Sequence, residues 1–189
     1  QEILKVIINT MKENAVKTYE DFTQNLIMEA PKMGEPASEK KVKWIDSNYA
    51  QLCLLVSSSG WVKNTEVRFQ KIQDGEVEAM ADYLKIVICN LTALIKLVQG
   101  ELSKAIRRKI MCLITMETHN RDIIDKLVQE KVRKAEEFQW QSQLKFYYEP
   151  KEKIFLCRIA DACLKYSYEY LGNGARLVVT PLTDRIYVT

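Results

Sequence analysis

The run Val77-Glu78-Ala79-Met80-Ala81-Asp82-Tyr83-Leu84-Lys85-Ile86-Val87-Ile88-Cys89-Asn90-Leu91-Thr92-Ala93-Leu94-Ile95-Lys96-Leu97-Val98 decides the fold. Val77, Met80, Leu84, Val87, Leu91, Leu94 and Val98 recur at steps of three and four, the spacing of one face of an α-helix. Ala81, Ile88 and Ile95 widen the stripe, which predicts packing against two or more helices rather than one coiled-coil partner. Gly100 stops the pattern, and Asp74 of Asp74-Gly75 is the expected N-cap. Beyond Ser103, the residues Ile106, Ile110, Leu113, Ile114, Ile124, Leu127 and Val128 trace a second long helix. Two such helices joined by a short loop make an antiparallel hairpin. Glu117 with Arg121 and Asp122 with Lys126 have the i,i+4 spacing of weak ion pairs on its polar face.

Upstream, Ile3, Leu4, Ile7, Ile8, Met11, Val16, Tyr19, Phe22, Leu26 and Ile27 predict an amphipathic helix over residues 1–29, broken by Pro31, Gly34 and Pro36. Ser38 caps a further helix through Trp44 and Ile45, with a short interruption at Ser47-Asn48. Ala50 to Phe69 resumes the helical pattern, and Ser57-Ser58-Ser59-Gly60 is expected to weaken it. Downstream the chemistry changes, with six of the nine tyrosines lying beyond residue 144. Lys145 to Glu149 and Lys153 to Arg158 flank Pro150-Lys151-Glu152 as a β-hairpin. Cys163 to Tyr170 alternates with period two and predicts a half-buried third strand. Leu171-Gly172-Asn173-Gly174 reads as a turn. Arg176 to Arg185 follows as an extended run interrupted by Pro181. The expected class is therefore mainly α: an antiparallel helical bundle followed by a small antiparallel β hairpin or meander and an extended loop.

Composition bounds the function. The chain has 189 residues, 28 Lys+Arg, 25 Asp+Glu and a formal net charge of +3. Such a slight excess is not the footprint of a nucleic-acid binder. Only 6 Gly and 4 Pro argue against a turn-rich β-sandwich. No uncharged apolar run reaches 18 residues, so no membrane partner is expected. The 5 cysteines contain no C-x-x-C pair, which fits neither a disulfide framework nor a zinc site and points to small buried thiols in a reducing compartment. His119 is the only histidine and sits in a polar helical stretch, so no multi-histidine metal site exists. Asn90-Leu91-Thr92 lies mid-helix and reads as a chance glycosylation sequon. The cluster Lys104, Arg107, Arg108 and Lys109 lacks interleaved aromatics and reads as a solvated helix start. Glycines at 34, 60, 75, 100, 172 and 174 offer no Gly-x4-Gly-Lys-Ser/Thr loop to cradle phosphates. Neither catalytic nor metal-ligating residues are assigned.

The tail carries a resemblance. Tyr168-Glu169-Tyr170-Leu171-Gly172-Asn173 and Arg176-Leu177-Val178-Val179-Thr180-Pro181-Leu182-Thr183-Asp184-Arg185 resemble a hallmark run of dynein heavy chains, which joins the mechanical linker to the first AAA+ module. Trp44 through Trp61 and Val98 through Asp122 resemble successive linker segments in the same order, and Phe138 through Tyr147 resembles the family's lead-in to the β-strands. The style of Gly100-Glu101-Leu102-Ser103 is similar to axonemal members. Gly174-Ala175 departs from a common Ser-Pro pair and Ile186 from a common Cys.

This resemblance implies an ATP-driven, microtubule-based motor with a linker that bends across a ring. It divides the chain into a helical lead-in (1–37), a linker bundle (38–144), strands at the linker end (145–171) and the start of the first AAA+ module (172–189). It implies that Leu177, Val178, Val179, Thr180, Pro181 and Leu182 form the adenine-side loop for ATP or ADP. Leu177, Val178 and Leu182 offer apolar contact, backbone groups near Val179 and Thr180 bond the base edge, and Pro181 fixes the chain direction. The implied partners are the rest of the AAA+ ring, microtubules and axonemal dynein subunits, in the cytoskeleton of a cilium or flagellum. Gln1 and Thr189 read as cuts through a longer chain, and this piece alone is expected to hydrolyse no ATP. The alternative is a non-catalytic helical scaffold whose Tyr-rich hairpin docks a partner.

Overall fold

A computed structural model describes residues 2–25, 31, 32 and 34–172. In chain order it contains α1 (Glu2–Gln24), α2 (Glu39–Ser47), α3 (Ala50–Gln73), α4 (Ala79–Gln99), α5 (Lys104–Gln129), a short α6 (Phe138–Gln141), β1 (Lys145–Glu149), β2 (Ile154–Ile159) and β3 (Ala162–Lys165). The strands form one antiparallel sheet in the order β1-β2-β3. Fold class and hairpin thus stand as expected, with Tyr147 opposite Leu156 and Cys157 opposite Leu164 in the register.

α3 is the axis of the molecule: it packs against α1, α4, α5 and β1. Its middle, Ser57-Ser58-Ser59-Gly60, does not weaken the helix but is buried and continuous with it. Small side chains there let the neighbouring elements come close on several sides. Two apolar clusters fill the interior. One gathers Met11, Phe22, Trp44, Leu52, Leu94, Ile110 and Phe155, and the other Trp61, Phe69, Met80, Val87, Ile124, Leu127 and Trp140. Trp140 is fully buried between Trp61 and Phe69, with ring centroids 5.2 and 5.9 Å away, so α6 docks the sheet-bearing end onto α3.

Several local expectations are corrected. Asp74 is the C-cap of α3, not the N-cap of α4, which Glu78 provides. The Gly75 N–H reaches Ile72 O at 3.1 Å and the Glu76 N–H reaches Lys71 O at 2.9 Å, closing a Schellman motif around Gly75 at φ 104°. Left-handed φ at that position is what glycine supplies, so Asp-Gly marks an ending and not a beginning. Ile88 and Ile95 are exposed, so the stripe on α4 is narrower than its apolar count. The expected ion pairs on α5 are replaced by Arg121–Asp122 and by Lys126–Glu130 at 4.0 Å. Burial instead raises the Glu117 carboxyl above its ordinary range, with Lys41 opposing. The third strand ends at Lys165 and all four of its residues are exposed, against the half-buried strand expected to Tyr170.

The basic cluster is more than a solvated start. Lys109 Nζ donates to Ile45 O (3.0 Å), Asp46 O (2.8 Å) and Asn48 O (2.7 Å), capping the carbonyl end of α2. Arg107 likewise donates to Val98 O and, at 3.0 Å, to Gly100 O beyond α4. Cations at helix C-termini satisfy orphan carbonyls and oppose the helix dipole. Ser38 and Ser103 cap α2 and α5 from the other end, each accepting a backbone N–H at 3.3 Å. Replacing Lys109 with Met is expected to cost about 2 kcal/mol, the order of several charge-assisted hydrogen bonds lost together. Urea unfolding checks this as a fall in midpoint at constant slope.

Candidate nucleotide-site approach

The residues assigned to the adenine side, Leu177, Val178, Val179, Thr180, Pro181 and Leu182, lie outside the described residues. So do Gly174, Ala175 and Ile186. What the structure does describe is the segment that leads to them and how the body holds it.

Beyond β3 the chain leaves the sheet in steps. The Tyr166 N–H still reaches Phe155 O at 2.9 Å, as a strand partner would. The Phe155 N–H, however, donates to the Tyr168 hydroxyl at 2.8 Å. Tyr168 is 4% exposed and sits at φ 57°, a left-handed conformation that is costly for a bulky residue. Burial of the ring in the first apolar cluster and its hydrogen bond oppose that cost. Gly172 follows at φ 73°, where the missing Cβ removes the penalty.

The other anchor is Gln51, in the first turn of α3. Its Nε2 donates to the Tyr166 hydroxyl at 2.8 Å and to Glu169 O at 2.7 Å, while its Oε1 accepts from the Leu171 N–H at 3.0 Å. Beside it the exposed rings of Tyr49 and Tyr170 meet edge to face, 6.3 Å apart. Nothing in the sequence singles out Gln51: between Ala50 and Leu52 it has the look of a solvated helix position.

A second polar group lies where β1 and β2 face α3. The Tyr147 hydroxyl donates to Glu66, and the Arg158 guanidinium stacks 5.0 Å from the Tyr147 ring centroid. Lys145, only 2% exposed, donates to Gln141 Oε1 at 3.0 Å and lies 5.4 Å from the Trp140 ring centroid. Burial holds the Lys145 ammonium below the ordinary lysine range, with Glu66 opposing and the nearby Arg158 adding to the fall. Burial, then the hydrogen bond with Glu66, pushes the Tyr147 phenol up. These groups line a cavity of about 340 Å³ with Asp161 and Cys163. Its charges are two cations and two carboxylates, an arrangement suited to joining helices to sheet rather than to capturing one charged ligand.

The remaining candidates resolve simply. Among the described residues no three His, Cys, Asp or Glu side chains gather as a metal site, and no helix is long and apolar enough to cross a membrane. Of the five cysteines, Cys53 and Cys112 are buried, Cys89 and Cys157 partly so, and Cys163 is exposed, departing from the expected burial. His119 is half-buried on α5. The tyrosines of the hairpin are half-buried, with Tyr148 packed on Tyr19 (4.1 Å) and on Phe155 (5.1 Å).

Comparison with known proteins converges on one family. Residues 166–189 match a family model described as the hydrolytic ATP binding site of dynein motor region. The chain is 42% identical over 147 residues to a ciliary dynein beta chain of Heliocidaris crassispina, covering 78% of this chain and 3% of that protein. It is 40% identical over 158 residues to human dynein axonemal heavy chain 9, covering 82% and 4%. It is 36% identical over 189 residues to dynein axonemal heavy chain 11 of Sus scrofa, covering 100% and 4%. The chain thus spans a few per cent of the length of the curated relatives it matches.

The thiols give a direct check on this geometry. Burial pushes the Cys53 thiol up to about 12, so at pH 8 it remains protonated and shielded, whereas Cys163 is open to solvent. Iodoacetamide under native conditions is expected to label Cys163 first and Cys53 only on unfolding. Peptide mass mapping that found Cys53 alkylated as fast as Cys163 would contradict the placement of α3.

Proposed function

The chain belongs to the axonemal dynein heavy-chain family, and from that premise we propose that it serves an ATP-driven, microtubule-based motor of the cilium or flagellum. Residues 38–144 supply the force-transmitting end of the linker, residues 145–171 the strands that finish it, and residues 172–189 the opening of the first AAA+ module. The observation that carries this reading is the match of the tail, residues 166–189, to the hydrolytic ATP binding site of the dynein motor region. The similarity to axonemal heavy chains through the helices supports the same order of parts.

Within that reading Leu177, Val178 and Leu182 contact the adenine of ATP or ADP through apolar side chains. Backbone groups at Val179 and Thr180 bond its edge, and Pro181 sets the chain direction. The donor set suits a base: apolar surface for its faces and backbone polar groups for its rim. The phosphates are held elsewhere, because no glycine spacing in this chain forms a phosphate-binding loop. The rest of the ring, the microtubule and the other axonemal subunits are the partners of the whole motor.

The direct test is Leu177→Asp or Val178→Asp in a heavy chain that carries this segment. A buried carboxylate against the base is expected to weaken nucleotide binding at the first site by tenfold or more, since an unpaired charge in an apolar contact costs several kcal/mol. Equilibrium binding that matched the wild type would remove the adenine assignment.

A further inference from the structure

The edge of the sheet formed by β3 carries unspent hydrogen-bonding groups, and one bond identifies them. The Tyr166 N–H reaches Phe155 O at 2.9 Å, so Tyr166 turns its backbone toward β2. Antiparallel pairing alternates, so Leu164 and Ala162, opposite Cys157 and Ile159, also turn inward. Cys163 and Lys165 therefore point their N–H and C=O groups out of the sheet. Among the described residues no hydrogen bond meets these groups, and all four residues of β3 are exposed. The opposite edge, β1, packs against α3. Residues 166–171 do not fold back over β3, because Tyr168 enters the core and Gln51 holds the segment at α3.

The two faces beside this edge differ. Cys163 and Lys165 share one face with Arg158 and Leu156, their partners across the ladder, while Ala162 and Leu164 share the other with Ile159 and Cys157. On the first face Lys165 has Glu152 at 3.7 Å. The exposed Arg158 lies against the Tyr147 ring, and among the described residues no carboxylate, Asp161 and Glu66 included, comes within salt-bridge reach of it. On the second face Leu164 is 66% exposed.

We propose that β3 is a docking edge for an extended, acidic segment of a partner protein, which adds as a fourth, antiparallel strand and pairs with Cys163 and Lys165. Backbone bonds supply the attachment in such strand addition, and alternate side chains supply the choice of partner. A residue of the added strand opposite Cys163 lies about 10 Å from Arg158, two strand spacings away. The short Cys163 side chain between them leaves the way open for a glutamate to meet the guanidinium. A second glutamate, two residues along, lies opposite Lys165, and the apolar residue between the two covers Leu164. Lys165 repels cationic strands, so this short edge selects against indiscriminate pairing while accepting an acidic one.

The test uses a recombinant heavy chain carrying this segment and a fluorescein-labelled seven-residue peptide of alternating valine and glutamate. One control peptide has lysine for glutamate, and another is N-methylated at every glutamate and so loses the ladder donors. Fluorescence polarisation is expected to show saturable binding of the glutamate peptide and binding about tenfold weaker or less for both controls. Saturating glutamate peptide is expected to slow amide exchange over residues 162–166 by about tenfold. Cys163→Pro removes an outward N–H where no bond to β2 is lost, and is expected to weaken binding by about tenfold. Arg158→Gln is expected to weaken it by about threefold. If Cys163→Pro does not fold, the N-methylated peptide makes the same comparison on the wild-type chain. Equal binding of the N-methylated peptide, or unchanged exchange, would overturn strand addition. Equal binding of the lysine peptide would overturn the choice of an acidic partner. Concentration-dependent dimerisation in sedimentation velocity that Cys163→Pro abolishes would give the edge to a second copy of this chain and remove the acidic segment from it.

Discussion

The structure depends on the middle of α3 being narrow. A helix approached by α1, α4, α5 and a β-strand cannot carry large side chains on every face, and Ser57-Ser58-Ser59-Gly60 provides the turn where it carries almost none. Serine and glycine are poor helix formers, costing several tenths to about one kcal/mol each relative to alanine in isolation. Burial of Leu52, Val56, Trp61, Val62 and Phe69 on either side outweighs that, at roughly 1.5–3 kcal/mol for each fully buried side chain of this kind. Tertiary packing sets the helix, and propensity yields to it.

With α3 at the centre, the other elements need their ends closed, and the closure comes from long side chains reaching across from neighbours. Lys109 closes α2, Arg107 closes α4, and Trp44 Nε1 donates to Thr18 O at 3.2 Å to lock α2 onto α1. The Lys109 and Arg107 contacts each join two elements while satisfying carbonyls at a helix end, and the Trp44 contact adds a second bond to a carbonyl within α1. Gln51 follows the same logic at the point where the chain leaves the sheet. The bundle is thus sealed by polar groups placed at helix termini, while its apolar clusters supply most of the driving force.

The sequence announced its helices well and its polar cross-links poorly, for a physical reason. Periodicity reports which face of an element is apolar, so α1 to α5 and the β1–β2 hairpin are readable from Ile, Leu, Val and Trp spacing alone. It does not report which partner a polar residue finds across space. Lys109 and Arg107 therefore looked like a solvated cluster, and Gln51 looked like nothing at all. Asp74-Gly75 misled because the same dipeptide suits the start of one helix and the end of another; only the left-handed Gly75 distinguishes them. The stripe on α4 overcounted because Ile88 and Ile95 are apolar residues left facing solvent, which a folded surface tolerates singly. The tail was readable only through likeness to a family, since its short apolar run carries no chemistry that composition can rank.

The least legible feature is also the one that shapes the exit from the sheet. Cys163 to Tyr170 alternates as a strand should, and a strand of that length would have continued alongside β2. Tyr168 stops it. Once its ring turns into the core and its hydroxyl accepts the Phe155 N–H, the return bond that would close the next antiparallel pair is already taken. The backbone beyond must then find partners elsewhere, and the Glu169 carbonyl and Leu171 N–H find them on Gln51. A regular strand would have tied this segment to the sheet. The interruption ties residues 169–171 to the first turn of α3 instead of to the edge of the sheet.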